Sequence, residues 1–191
     1  MRFLKLFLSV ITNPQKTLLQ VKRDESRLGY AFLSLAVHSA FAMSKQLTFH
    51  LQSRHPEPEP WLRVATERTW LYSFYFNLPV DIIQAVIFAG VVTLAAKLFD
   101  GKGSFEGQFA LYAFAFAPVN ILFLYGAFAL SLLGLDETLL WWAYFGVVLL
   151  WDLVLITLSV RVEQELKWGP ALLCFVAGFA PAILLSLTYI R

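Results

Sequence analysis

One stretch of this sequence, Lys102–Gly134, limits the possible folds more than any other. After Glu106 it has no charged side chain until Asp136. About 20 apolar residues in an α-helix, each adding about 1.5 Å, cover the hydrocarbon core of a bilayer. The stretch is therefore long enough to cross a membrane as a helix. A helix satisfies every backbone polar group within one segment, which lipid demands.

The same stretch has a semi-polar side. Four side chains recur at every fourth position and so lie on one face of a helix: Gln108, Tyr112, Phe116 and Asn120. Four small residues allow neighbouring helices to approach closely: Gly107, Ala110, Ala113 and Ala117. Pro118 removes one backbone hydrogen bond and should bend the helix. The pattern predicts a central helix whose semi-polar side faces other helices, with Tyr112 or Asn120 hydrogen-bonded to one of them.

Composition extends this interpretation to the whole chain. Of 191 residues, 59% are hydrophobic and 15% are charged, whereas soluble domains have about 25% charged residues. The apolar residues are gathered into five runs: Leu28–Phe49, Leu71–Phe99, Phe105–Leu133, Leu139–Val160 and Gly169–Ile190. Short loops separate most of them. We therefore predict an all-α integral membrane protein with five transmembrane helices in an antiparallel bundle, forming a domain over residues 28–191.

Residues 1–27 form a separate N-terminal segment in this prediction. The first 12 residues place Phe3, Leu4, Phe7 and Leu8 at helical spacing, which is typical of an amphipathic helix at the membrane surface. We predict that residues 3–11 lie along that surface with these four side chains toward the membrane. A cleaved signal peptide is the alternative, although no small-residue cleavage site follows. Asn13-Pro14 then predicts a second short helix up to Arg27, with Asn13 as its cap.

The distribution of basic residues predicts the orientation. One side of the five-span topology has ten lysines and arginines, and the opposite side has five. The richer side contains the N-terminus, Lys102 and Lys167, whereas Glu57 and Asp136 fall on the poorer side. Because cytoplasmic loops are enriched in lysine and arginine, the N-terminus is predicted to be cytoplasmic and the C-terminus outside.

Ionisable groups inside apolar runs are costly and are therefore candidates for function. Four such residues occur: His38, Lys45, Asp81 and Asp152. Asn77, Asp81 and Gln84 share one helix face, which suits either a substrate path or hydrogen bonding between helices. Depth, counted at about 1.5 Å per residue, matches His38 with Asp152 and Lys45 with Asp81. We predict that both aspartates face the interior and that at least one of these pairs is in contact, directly or through a polar bridge. For Asp152, structural pairing and proton relay both remain open.

Gly103-Ser104-Phe105, then Gln108, Leu111-Tyr112 and Phe116-Ala117-Pro118, resemble the central segment of the Yip domain family, the Ypt-interacting proteins. The short apolar start followed by Asn13-Pro14 is similar to the small bacterial members. The Asp-Leu-Tyr-Gly-Pro-type motif of eukaryotic members does not occur here. The resemblance implies five spans, a cytoplasmic N-terminus and a bacterial inner-membrane location. The missing motif leaves open whether the small-GTPase binding of the eukaryotic members carries over.

Two classes of function follow. The first is a non-enzymatic scaffold or adaptor of the Yip type, acting through partner proteins, a second copy of itself or membrane lipids. The second is a small transporter or channel that uses the polar face of Asn77, Asp81 and Gln84 with His38 and Asp152. No motif for a metal, a nucleotide cofactor or a catalytic nucleophile occurs, and the net charge of +2 does not suggest nucleic acid.

Overall fold

The computed structural model describes residues 2–51, 69–135 and 138–190, and every regular element in those ranges is helical. The helices are α1 (Arg2–Thr12), α2 (Pro14–Lys22), α3 (Arg27–Leu51), α4 (Thr69–Ala96), α5 (Phe105–Leu132), α6 (Leu139–Gln164) and α7 (Trp168–Ile190). A 3₁₀ turn, Lys97–Phe99, follows α4. The all-α prediction is confirmed for these ranges. The predicted exposure of Glu57 and Asp136 concerns positions outside the described residues.

Three stretches in the described part are long and apolar enough to cross a membrane: Tyr75–Phe99, Phe105–Leu130 and Leu139–Gln164. A shorter apolar stretch, Trp168–Ala182, lies in α7. Helix α3 has sufficient length, but Ser34, His38 and Ser39 interrupt its apolar sequence and are buried. The three spans confirm a membrane-type protein.

Helix α5 lies at the centre of the packing. It contacts α1, α2, α3, α4 and α6, while α7 packs on α4 and α6. Every residue from Gly107 to Ala115 is buried. The small residues Ala113 and Ala117 are fully buried, as expected of a close helix contact. Helix α5 continues through Pro118, and the bend at that residue remains a prediction.

Helices α1 and α2 each have one side buried against the rest of the protein and another side exposed. Leu6, Phe7 and Val10 of α1 are buried, and the Phe7 ring meets the Phe114 ring of α5 edge-on at 6.1 Å. The sequence had grouped Phe7 with Leu4 and Leu8 toward the membrane, but the latter two remain exposed. The prediction was wrong in assigning these side chains one environment, because α1 has separate faces for protein and surroundings.

The start of α2 also differs from its prediction. Pro14 occupies the first turn, as expected, but the Asn13 side chain makes no capping hydrogen bond. Instead the Asn13 carbonyl accepts from the Thr17 hydroxyl at 2.8 Å. Helix α2 ends at Lys22 rather than at Arg27, since Asp24 forms a turn by accepting from the Ser26 amide at 2.9 Å.

Gly178 provides a test of the packing between α4 and α7. A Cβ atom there would lie 2.6 Å from Val92 Cγ2 and 3.1 Å from Phe88 Cδ2. Gly178→Ala should therefore lower the stability of the detergent-solubilised protein by about 1–3 kcal/mol through overpacking. The matched control is Gly146→Ala, where a Cβ meets no atom within 4 Å. Both changes gain the same helix propensity, so equal melting temperatures would contradict this packing.

Candidate functional site

The N-terminus of α5 is capped by a side chain from another helix. The Ser104 hydroxyl accepts a hydrogen bond from the Gly107 amide at 3.0 Å, as an N-cap serine does. In a capping box, a glutamate three residues after the cap would bond back to the cap amide. Position 107 is glycine, and Glu163 of α6 takes that role instead. Its Oε1 accepts from the Ser104 amide at 3.1 Å.

Glycines make this approach possible. A Cβ at Gly107 would overlap the Glu163 carboxylate, and one at Gly103 would lie 2.6 Å from the Glu163 carbonyl oxygen. Glu163 is 2% exposed, and its charge lies at the positive end of the α5 dipole. Gly103, Ser104 and Gly107 are therefore explained by contact with α6. Ser104, Gly107 and Glu163 form the centre of what we call the capping cluster. The residues described in the next two paragraphs complete it.

Lys22 attaches α2 to the other side of this cluster. Its Nζ donates to the carbonyls of Val162 and Glu163 at 2.9 and 3.1 Å, where α6 ends. It also pairs with Glu165 Oε1 at 3.1 Å. The hydrogen bond and the charge of Lys22 lower the pKa of the Glu165 carboxyl. A cation is favourable at the last carbonyls of a helix, because that end of the helix dipole is negative. The positive end of the α5 dipole favours Glu163 in the same way.

Gln108 also belongs to the capping cluster. Gln164 Nε2 donates to Gln108 Oε1 at 3.3 Å, and both side chains are buried. Gln108 thus bonds a neighbouring helix from the predicted face of α5, one turn before Tyr112. Of the two residues for which this was predicted, Asn120 interacts with the Asp152 side chain of α6. Sequence reasoning missed Glu163 and Gln164. The available signal was an N-cap serine followed at the third position by glycine instead of glutamate.

A second group of polar side chains lies deeper, between α3 and α4. Asp81 Oδ2 is 2.8 Å from His38 Nδ1 and accepts from the Ser39 hydroxyl at 2.8 Å. All three residues are buried. Asp81 faces the interior, as predicted, but its partner is His38 and not Lys45. Depth alone did not identify the pair, because the rotation of each helix decides which side chains meet.

Helix α5 connects this pair with Asp152 of α6. The Tyr112 ring stacks on Phe88 and Phe116, and it lies close enough to Asp81 and Asp152 for electrostatic interaction with both. Phe116 also meets the His38 ring at 5.1 Å. Tyr112, His38, Ser39, Asp81, Asn120 and Asp152 form what we call the interior polar layer.

Asp152 is the least satisfied member of the interior polar layer. Its Oδ1 is buried without a hydrogen-bond partner. With Asn120 it lines a small cavity of about 70 Å³ between α5 and α6. Asn120 Nδ2 donates to the Phe116 carbonyl of its own helix at 3.2 Å. The predicted pairing of Asp152 with His38 is replaced by the His38–Asp81 bond.

The remaining predicted residues lie beside this layer. Asn77 and Gln84 flank Asp81 along α4, and both are half-buried. Lys45 lies two turns beyond His38 on α3 and is also half-buried. Pro118 is buried in α5 between Phe116 and Asn120. Among the described residues, no group of three or more histidine, cysteine, aspartate or glutamate side chains could hold a metal ion.

The Asp81 contacts predict a graded response to substitution. Asp81→Leu leaves the His38 ring and the Ser39 hydroxyl without their acceptor, and each such buried group costs about 1–3 kcal/mol. Asp81→Asn keeps one acceptor oxygen and should be milder. Melting temperatures in detergent measure both. Asp152→Asn should change stability less than Asp81→Leu, since one Asp152 oxygen already has no partner. Equal losses for Asp81→Asn and Asp81→Leu would contradict the hydrogen bonds.

Comparison with known proteins gives one finding. The family model of the Yip1 domain matches residues 8–190, nearly the whole chain. No curated protein and no solved structure matches this chain significantly. The matched range contains the capping cluster and the interior polar layer. It also contains the Gly-Ser-Phe segment that leads into α5 and the Phe-Ala-Pro segment within α5. The chain therefore belongs to the Yip1 domain family.

Proposed function

We propose that this protein is a non-enzymatic membrane scaffold that acts through partner proteins, a second copy of itself or lipid organisation. In this proposal α3, α4, α5, α6 and α7 cross the membrane as an antiparallel five-helix bundle, with α1 and α2 at the cytoplasmic surface. The proposed location is a bacterial inner membrane. Family membership and three long apolar helices support the membrane part of the proposal.

One observation carries the scaffold role. The His38–Ser39–Asp81 contact uses polar groups of α3 and α4 to hold two helices together. Aromatic rings then fill the neighbouring space, since Tyr112 lies between Phe88 and Phe116 at centroid distances of 4.3 and 5.5 Å. Polar side chains that bond across helices in lipid stabilise a bundle. This arrangement suits a protein that acts by presenting a stable surface to its partners.

A second candidate is transport, and Asp152 is the observation that favours it. A buried carboxylate oxygen without a hydrogen bond, beside a cavity, is the arrangement expected of a proton-carrying or cation-binding group. In that case the cavity among Asn120, Phe145 and Asp152 would be one station of a path. His38 interacts electrostatically with Asp152 and would be the next titratable group.

Flux measurements separate the two candidates. Each protein is reconstituted into liposomes that contain a pH-sensitive dye. If the role is a scaffold, liposomes with the wild-type protein should pass protons no faster than liposomes with the Asp152→Asn variant. A proton or monovalent-cation flux that Asp152→Asn or Asp81→Asn abolishes, while the variant remains folded and inserted, would contradict the proposal and favour transport. Crosslinking in native membranes should then give a partner or dimer band that Asp152→Asn leaves unchanged.

The five-span topology predicts which sites an impermeant reagent can reach. In a Cys174→Ala background, Lys102→Cys and Lys167→Cys should be protected from an impermeant maleimide in intact cells and react after lysis. Glu57→Cys should react in intact cells, because position 57 falls on the outer side in this topology. Labelling at position 102 but not at position 57 would reverse the orientation.

A further inference from the structure

We propose that the cleft between α1 and α2 binds the phosphate headgroup of an anionic membrane phospholipid. The inference requires only that the protein lies in a membrane, so it holds whether the bundle is a scaffold or a transporter.

The cleft is built by a hairpin of two helices. The Ser9 and Thr17 hydroxyls are hydrogen-bonded at 3.0 Å and hold α1 against α2 next to the corner at Asn13. The opening has a volume of about 570 Å³, within the range of about 300–1,000 Å³ that small-molecule sites occupy. The buried face of α1 packs on α5, so the cleft stays attached to the bundle.

The lining of the cleft is strongly positive. Its charged residues are Arg2, Lys5, Lys16, Arg23 and Asp24. Asp24 is paired with Arg2 at 3.0 Å. The other three cations are exposed and exceed the single carboxylate of the cleft. Basic residues near a membrane surface attract anionic lipids, and lysine and arginine both bind phosphate oxygens.

Apolar side chains identify the ligand as a lipid. Leu4 and Leu8 of α1 are 61% and 64% exposed, one helical turn apart. They lie on the face next to the one that presents Lys5 and Ser9 to the cleft. A phospholipid can use both faces, because its headgroup reaches the cations while its acyl chains cover the leucines. An inorganic phosphate would contact only the cations and would make no use of the adjacent leucines.

The position of the cleft agrees with a headgroup site. Lys22, at the end of α2, bonds the last carbonyls of α6. The cleft therefore lies at the same end of the bundle as the start of α5 and the end of α6, where long apolar helices begin and end. That end is where lipid headgroups meet a membrane protein.

Native mass spectrometry of the full chain in detergent tests the proposal. Phosphatidylglycerol is titrated against phosphatidylcholine, which has the same chains and no net charge. The wild-type protein should retain phosphatidylglycerol preferentially. The triple variant Lys5→Gln, Lys16→Gln and Arg23→Gln should bind it more than about tenfold less tightly.

The matched control removes the same charge from the same end of the bundle. Lys97→Gln, Lys102→Gln and Lys167→Gln change three exposed lysines outside the cleft, and this variant should stay within about twofold of wild type. An equal loss in both triple variants would overturn the site, since the attraction would then be a property of net charge. Equal retention of phosphatidylcholine and phosphatidylglycerol by the wild type would overturn it too.

Two further arms distinguish lipid from soluble phosphate. Glycerol 3-phosphate, a headgroup without chains, should compete poorly with the lipid at equal concentration. The double variant Leu4→Ser and Leu8→Ser should weaken lipid binding while leaving the cations in place. Efficient competition by glycerol 3-phosphate or by inorganic phosphate, with no effect of the leucine variant, would assign the cleft to a soluble anion and overturn the lipid proposal.

Discussion

The contact on which the rest of this structure depends is the Glu163 carboxylate at the start of α5. The first amides of a helix have no partner within it, and here a side chain from α6 supplies one. The same carboxylate fixes how closely α5 and α6 approach, because Gly107 leaves the space that it occupies. Lys22 then bonds the end of α6, so α2 joins the same point. Three helices are aligned by one cluster.

The interior polar layer has a complementary role. Close to the capping cluster, charge and hydrogen bonds position α5. Further along the helix, contacts between aromatic rings position it. Phe116 of α5 contacts the His38 ring of the His38–Asp81 pair, and the Tyr112 ring stacks on Phe116. Van der Waals packing and inter-helix hydrogen bonds, rather than the hydrophobic effect, distinguish one helix arrangement from another in lipid. The buried histidine and aspartate therefore specify which faces of α3 and α4 meet.

Particular residues show what the sequence could and could not predict. The four-residue spacing of Gln108, Tyr112 and Asn120 identified side chains that lie inside the bundle, although α5 is buried on all sides from Gly107 to Ala115. Hydropathy located the helices within a few residues. Depth suggested the pairs His38–Asp152 and Lys45–Asp81, but rise along a helix contains no information about rotation, and the structure pairs His38 with Asp81. The docking of α1 and the role of Glu163 depend on contacts between distant segments, which local periodicity does not encode.

A double-mutant cycle between Gly107 and Glu163 tests the central contact most directly. Gly107→Ala should destabilise the protein in detergent, because its new methyl group needs the space of the Glu163 carboxylate. In a Glu163→Ala background that space is free, so the same change should cost at least about 1 kcal/mol less. Chemical denaturation in mixed micelles gives the four free energies. Losses that add to within about 0.5 kcal/mol would contradict the capping cluster, since independent sites behave in that way.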